Sequence, residues 1–200
     1  MNDAFELPFP QYRCPECGKD LPLGEARMSV TCASHAQSEP ADFKVRKATD
    51  ADRNDIALLC ERALGETDVD VFGRTFDVLS GVNLIAEANG ALVGLLSVAI
   101  DRGELAVVLL SVYPDFQGKR VGATLLSAAD RFAAKRGLGF MRVAVTNDDI
   151  PQLYFYQRHG FAIYEAAVGE IADRFGSATP GFSGIPVRDE IRLRRAVCSE

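Results

Sequence analysis

LSVYPDFQGKRVGATLLSAADRFAAKRGLGF, running from Leu110 to Phe140, holds a strand end, a turn and a helix in one stretch. Upstream, Glu104 to Val112 is nearly continuous apolar sequence, the pattern of a strand buried on both faces. Pro114 stops it, because proline has no N–H for a ladder. Beyond the turn, Val121, Leu125, Ala128, Ala129, Phe132 and Ala133 recur at helical spacing, and Gly137 supplies a C-terminal stop. Between strand and helix lie Gln117, Gly118, Lys119, Arg120, Val121, Gly122 and Ala123. A glycine-rich turn that opens a helix turns backbone N–H groups outward at the positive end of the helix dipole, where an anion such as a pyrophosphate is favoured.

A second stretch, Asn147 to Phe161 (NDDIPQLYFYQRHGF), reads as a helix whose Tyr156 comes four residues before Gly160 and Phe161. Together the two stretches resemble the coenzyme A loop and the later tyrosine helix of the GCN5-related N-acetyltransferases, the GNAT superfamily. That loop reads Gln or Arg, two residues, Gly, any residue, then Gly or Ala. Gln117 and Gly122 match it, while Arg120 stands where the first glycine is usual, which implies a backbone that tolerates a Cβ. An asparagine often precedes the tyrosine by seven residues in the family; here that position is Asp149, a residue suited to capping the helix.

The resemblance covers roughly residues 43 to 195 and implies a mixed α/β (α+β) fold with a mostly antiparallel central sheet flanked by helices. It implies acetyl-CoA as cosubstrate and an amine as the other substrate. The pantetheine arm would lie along Leu110, Ser111 and Val112, and the pyrophosphate would meet the amides from Gln117 to Ala123, with Lys119 or Arg120 as charge support. Tyr156 would be the general acid that protonates the departing sulfur. Tyr154 and Phe155 are then the aromatics expected in the core. No glutamate stands on the apolar strand before the loop; Glu104, Glu87, Asp189, Glu190 or a water are the remaining candidates for a base, and His159 reads as an exposed helix-end residue.

The amino-terminal 40 residues have a different character. Cys14 and Cys17 form CPECG, and Cys32 and His35 form CASH, giving Cys-x2-Cys-x14-Cys-x2-His. Two close pairs of soft ligands can converge tetrahedrally on one zinc ion, and four protein ligands make a closed, structural site. Residues 1–40 are therefore expected to form a zinc-ribbon-like module with its linker, and 41–200 the acetyltransferase domain. Cys60 falls on an apolar helical stripe with Ile56, Leu59 and Ala63, as a buried thiol does. Cys198 has no evident partner.

The chain of 200 residues is 48% hydrophobic and 25% charged with a formal charge of -6. That balance argues against a nucleic-acid surface maintained by net charge. No apolar run reaches membrane-spanning length. The start, MNDAFELPFPQ, lacks the basic and apolar regions of a secretory signal, so cytoplasm is the expected compartment. A homo-oligomer is left open.

The remaining elements follow from local pattern. Phe43 to Arg46 is a first strand, and Thr49 with Asp52 three residues on begins a helix that runs to about Gly65. A short helix is expected from Val71 to Leu79. Asn83–Glu87 and Ala91–Ile100 are strands joined by Asn89-Gly90, a strong hairpin signal, and with the strand to Val112 they make a meander. Phe140–Val145 follows a helix and so pairs in parallel. Phe161–Glu165 continues the sheet, Ala167–Phe175 is a short helix, SATPGFSGIP is a loop without fixed structure, and Val187–Val197 is a last strand. Two further functions fit the same features: a catalytically weak coenzyme A-binding regulatory protein, and a zinc-module adaptor for a protein or RNA partner.

Overall fold

The computed structural model describes residues 42–175, 179–181 and 184–197. The first strand, β1 (Lys44–Lys47), leads to a capping box in which the Thr49 N–H and hydroxyl both donate to Asp52 (2.7 and 2.9 Å). Helix α1 (Arg53–Leu64) follows and ends at Gly65, whose φ of 82° lets its N–H reach back to the Glu61 carbonyl. Strands β2 (Asp68–Val71) and β3 (Arg74–Asp77) form a hairpin.

That hairpin corrects the helix expected from Val71 to Leu79. Val69, Val71, Thr75 and Phe76 favour extended backbone, and Phe72 and Gly73 both take positive φ (57° and 68°), the geometry of a tight hairpin turn. Only Val78–Ser80 turns helically, as a single 3-10 turn.

Strands β4 (Val82–Ala88), β5 (Ala91–Asp101) and β6 (Glu104–Val112) form the expected meander. Helix α2 (Val121–Ala134), strand β7 (Phe140–Thr146) and helix α3 (Ile150–Arg158) come next. After them run β8 (Ala162–Ala167), α4 (Glu170–Phe175), β9 (Thr179–Pro180), β10 (Pro186–Val187) and β11 (Glu190–Ala196). The seven-stranded sheet has the order β1-β4-β5-β6-β7-β11-β8, antiparallel throughout except for the parallel β6–β7 pair.

Two apolar layers sandwich this sheet. Leu84, Leu96, Val98, Leu105, Val107 and Met141 meet α2 and α3 on one side. Ile85, Leu95 and Val108 meet Ile56, Leu59 and Cys60 of α1 on the other. Burial raises the Cys60 thiol pKa, as expected for an inert core cysteine.

The late chain differs from expectation in three places. The last strand begins at Glu190 and inserts between β7 and β8, leaving β8 at the sheet edge. The short helix starts at Glu170, three residues late. Within the expected loop, Thr179–Pro180 pairs with Pro186–Val187 as a small antiparallel ladder.

Candidate active site

The site exists because β6 and β7 pair only along part of their length. Leu105, Ala106 and Val107 lie against Met141, Arg142 and Val143, and the ladder stops there. Just beyond, β6 carries an extra residue: Val98 faces Val107 while Ser97 faces Leu109, so Val108 is a bulge. A bulge bends its strand and adds twist. From Val108 onward β6 keeps β5 on one side and, among the described residues, has no strand paired on the other, which opens the main chain of Leu110–Val112 to a cleft.

That cleft has a volume of about 690 Å³ and is lined by Leu110, Ser111 and Val112 on one wall. Gln117, Gly118, Arg120, Val121, Gly122 and Ala123 form its end, and Pro151, Gln152, Phe155, Tyr156, Arg158 and His159 the far wall. The volume suits an elongated organic ligand. Nine of the ten residues expected to contact coenzyme thus border one space. Lys119 does not; its ammonium stands over the Phe116 ring, 5.4 Å from the centroid.

The turn is built by local bonds. Gln117 Nε2 donates to the Val112 carbonyl (3.0 Å), tying the loop to the strand end. The first internal bond of α2 runs from Thr124 N to Arg120 O (3.0 Å), so the amides of Val121, Gly122 and Ala123 precede it and point out of the helix end. No side chain of Arg120 caps them. Arg120 itself has φ 66° and ψ 7°. The position does not merely tolerate a Cβ: it is left-handed backbone, where a non-glycine residue is strained by about 1–2 kcal/mol.

The far wall is where expectation and structure part. Tyr156 is the buried aromatic, 1% exposed, with Phe161 and Phe155 edge-on at 5.4 and 5.2 Å, whereas Tyr154 and Phe155 are half-buried. Tyr156 belongs to the core cluster shared by α2 and the sheet and also borders the cleft, while Phe155 is partly buried against that cluster and borders the cleft beside it. Burial, and secondarily the charge of Asp149, pushes the Tyr156 phenol well above its usual range. His159 is also half-buried, its ring 4.4 Å from Phe155 and its Nδ1 2.8 Å from the Phe155 carbonyl. Asp149 caps α3, accepting from Gln152 N at 3.0 Å.

The acids considered as bases all have partners. Glu87 pairs with Arg46 (2.9 Å), and Glu104 with Arg194 at the closed end of β6. Asp189 accepts from Gly169 N (2.8 Å), and Glu190 from Phe72 N. Cys14, Cys17, Cys32 and His35, read as zinc ligands, lie outside the described residues, as does Cys198. Among the described residues no group of three or more His, Cys, Asp or Glu could hold a metal ion, and no helix is long and apolar enough to cross a membrane.

Sequence reading missed Phe116, Pro151, Gln152, Phe155, Arg158 and His159 as cleft residues. A cleft-facing stripe on α3 was the available signal, hidden because α3 shows aromatics on both faces.

Known proteins resemble this chain in sequence and in fold. Residues 54–161 match the model of the acetyltransferase (GNAT) family. Mycothiol acetyltransferase of Clavibacter sepedonicus is 30% identical over 153 residues, which is 70% of this chain and 50% of that protein. Streptothricin acetyltransferase of Streptomyces lavendulae is 35% identical over 77 residues, 38% of this chain and 41% of that one. The chain therefore spans about half the length, or less, of these two relatives. Among solved structures, a GNAT family acetyltransferase from Elizabethkingia anophelis with acetyl-CoA bound superposes with a TM-score of 0.61 at 20% identity, covering 80% of this chain and 99% of that one. At that identity the likeness is one of fold.

Proposed function

The chain belongs to the GNAT family of acetyl-CoA-dependent N-acetyltransferases, and from that premise we propose that it moves the acetyl group of acetyl-CoA onto a primary amine in one direct step. The observation that carries this is the parting of β6 from β7 beside an α2 N-terminus whose first amides point outward. Leu110–Val112 would hold the pantetheine arm by main-chain bonds, as an added strand does. The amides of Val121, Gly122 and Ala123 would hold the pyrophosphate, with the Arg120 guanidinium as a charged partner.

The amine nitrogen forms a bond to the thioester carbon, the C–S bond breaks, and the thiolate takes the Tyr156 proton. The amine's surplus proton leaves to water or a carboxylate. Burial keeps Tyr156 protonated, so the proton is in place. It also makes the phenol a weaker acid than a thiol of pKa about 8.5, an uphill transfer that expulsion of the sulfur must cover.

Coenzyme A thiol release from acetyl-CoA, measured against a panel of primary amines with Tyr156→Phe alongside, tests this reading. Amine-dependent release that falls about ten-fold or more in the variant is expected. Equal turnover of the two proteins removes Tyr156 from the chemistry. One observation favours a second reading, a coenzyme-binding regulatory protein: every acid considered as a base already has a partner. Coenzyme binding without turnover on any amine would favour it.

Cys14, Cys17, Cys32 and His35 support a separate proposal, a structural zinc site in residues 1–40 that serves either the enzyme or a protein partner. Metal analysis should find one zinc per chain, lost in Cys14→Ser. Retention of one tightly held zinc by that variant would overturn the ligand assignment.

A further inference from the structure

Three elements converge on the beginning of β11, beside the end of β7. The first is the β2–β3 hairpin, which reaches from β6 across β7. At its tip the Phe72 N–H donates to both carboxylate oxygens of Glu190 (3.2 and 3.0 Å), and the Phe72 ring covers the Arg142 guanidinium at 4.1 Å. The second is α4, whose Ile171 and Ala172 amides donate to the Arg188 carbonyl (3.0 and 3.1 Å) and whose Arg174 pairs with Asp70 of the hairpin (3.2 Å). The third is the segment 186–189. Asn147 makes four bonds to it: its Oδ1 accepts from Arg188 N and Asp189 N (2.8 and 3.0 Å), its Nδ2 donates to the Pro186 carbonyl (3.0 Å), and its own N–H donates to the Asp189 carbonyl (3.0 Å).

Two of the side chains that hold the arrangement, Asn147 and Glu190, lie beyond Val143, the last residue of β7 paired with β6. Asn147 directly follows β7, and Glu190 lies opposite Thr146, the last residue of β7. Glu190 is 2% exposed, and its remaining partner is Arg192 Nε at 2.6 Å. A buried carboxylate that spends both oxygens on one backbone amide fixes the position of that backbone, which is not what a proton-accepting base needs. Asn147 is likewise fully engaged. Two residues further on, Asp149 caps the helix of Tyr156, so one three-residue turn registers both the proton donor and this wall.

We propose that Asn147 and Glu190 are positioning residues that hold the hairpin tip, α4 and segment 186–189 as a wall over the sheet face opposite α2 and α3, excluding water from the thioester end. The inference rests on the acetyl-CoA reading above, which places that end where β6 and β7 part. A closed wall matters because an acyl thioester exposed to water is lost to hydrolysis.

The probe is acetyl-CoA alone, with water as the only nucleophile. In Asn147→Ala and Glu190→Ala, thiol release without amine should rise roughly five-fold while the acetyl-CoA dissociation constant stays within about two-fold, since coenzyme enters from the α2–α3 side. Asn147→Asp and Glu190→Gln, which keep an oxygen acceptor for the same amides, should return release to within about two-fold of the parent. A merely structural role would lower the melting temperature without this split. Unchanged release in both alanine variants overturns the inference, and so does a dissociation constant that rises in step with release. If the parent protein fails to bind acetyl-CoA, the reading on which the inference rests has failed first. Binding with unchanged release rejects the wall alone.

Discussion

The ring of Phe155 leans on Gly122: a Cβ at that glycine would stand 3.2 Å from Phe155 Cζ and 3.4 Å from Cε2. The two residues come from α2 and α3 and meet at the wall of the cleft. A larger side chain at Gly122 must push the ring into the cleft. Gly122→Val is expected to weaken acetyl-CoA binding about ten-fold and to cost about 1–3 kcal/mol of stability by overpacking. Calorimetric titration with a denaturant curve on the same protein checks both.

Arg120 joins backbone strain to a charge. In Arg120→Gly the left-handed φ is relieved, but the unfolded chain gains freedom, so stability should change by no more than about 1 kcal/mol. With the guanidinium in its proposed place beside the phosphates, coenzyme affinity should fall in this variant and its dependence on salt should flatten. Titrations at low and high ionic strength measure this. An unaltered salt slope would place the guanidinium away from the phosphates.

Gly94 lies under α2, where an added Cβ would come within 2.9 Å of Val121 Cγ1 and 3.3 Å of Leu125 Cδ1. Gly94→Ala should destabilise the domain by about 1–3 kcal/mol by lifting the helix from the sheet. The shift of the urea midpoint measures it.

Tyr156 makes two pH predictions. Its phenol is held above its usual pKa of about 10, so turnover should show no loss from ionisation of this group below that pH. Because the folded value exceeds the unfolded one, the associated stability is complete below pH ~10 and is lost as pH rises through the folded pKa. Melts from pH 9 upward should fall less steeply in Tyr156→Phe than in the parent.

Asp52 gives the opposite sign. Arg46 first, then the Thr49 amide, hold its carboxyl well below the usual range. The stability it contributes is present above about pH 4 and disappears as pH falls through the folded pKa. Acid melts of Asp52→Asn against the parent should converge at low pH.

Elements built from contacts close in sequence were legible. Asn89-Gly90, with φ of 52° and 77°, forms the expected hairpin, and Thr49 with Asp52 forms the expected capping box. The strand, turn and helix from Glu104 to Ala134 also stand as read. Each depends on backbone chemistry within a few residues. The β2–β3 hairpin departs from the expected helix because Val71 to Leu79 mixes apolar and polar residues at a spacing compatible with either period; the positive φ of Phe72 and Gly73 and docking against Arg142 and Glu190 favour the hairpin.

Residue identity alone determined the family, the turn that opens α2 and the helix that carries Tyr156. The tertiary structure decided which aromatic of that helix is buried, that Arg120 sits in strained left-handed backbone, and that Asn147 and Glu190 anchor segments far from them in the chain. The physical reason is range. Helix caps, tight turns and apolar periodicity are set by neighbours a few positions away. A side chain's burial, or a carboxylate's partner 118 positions distant, is set by which surfaces meet when the sheet closes.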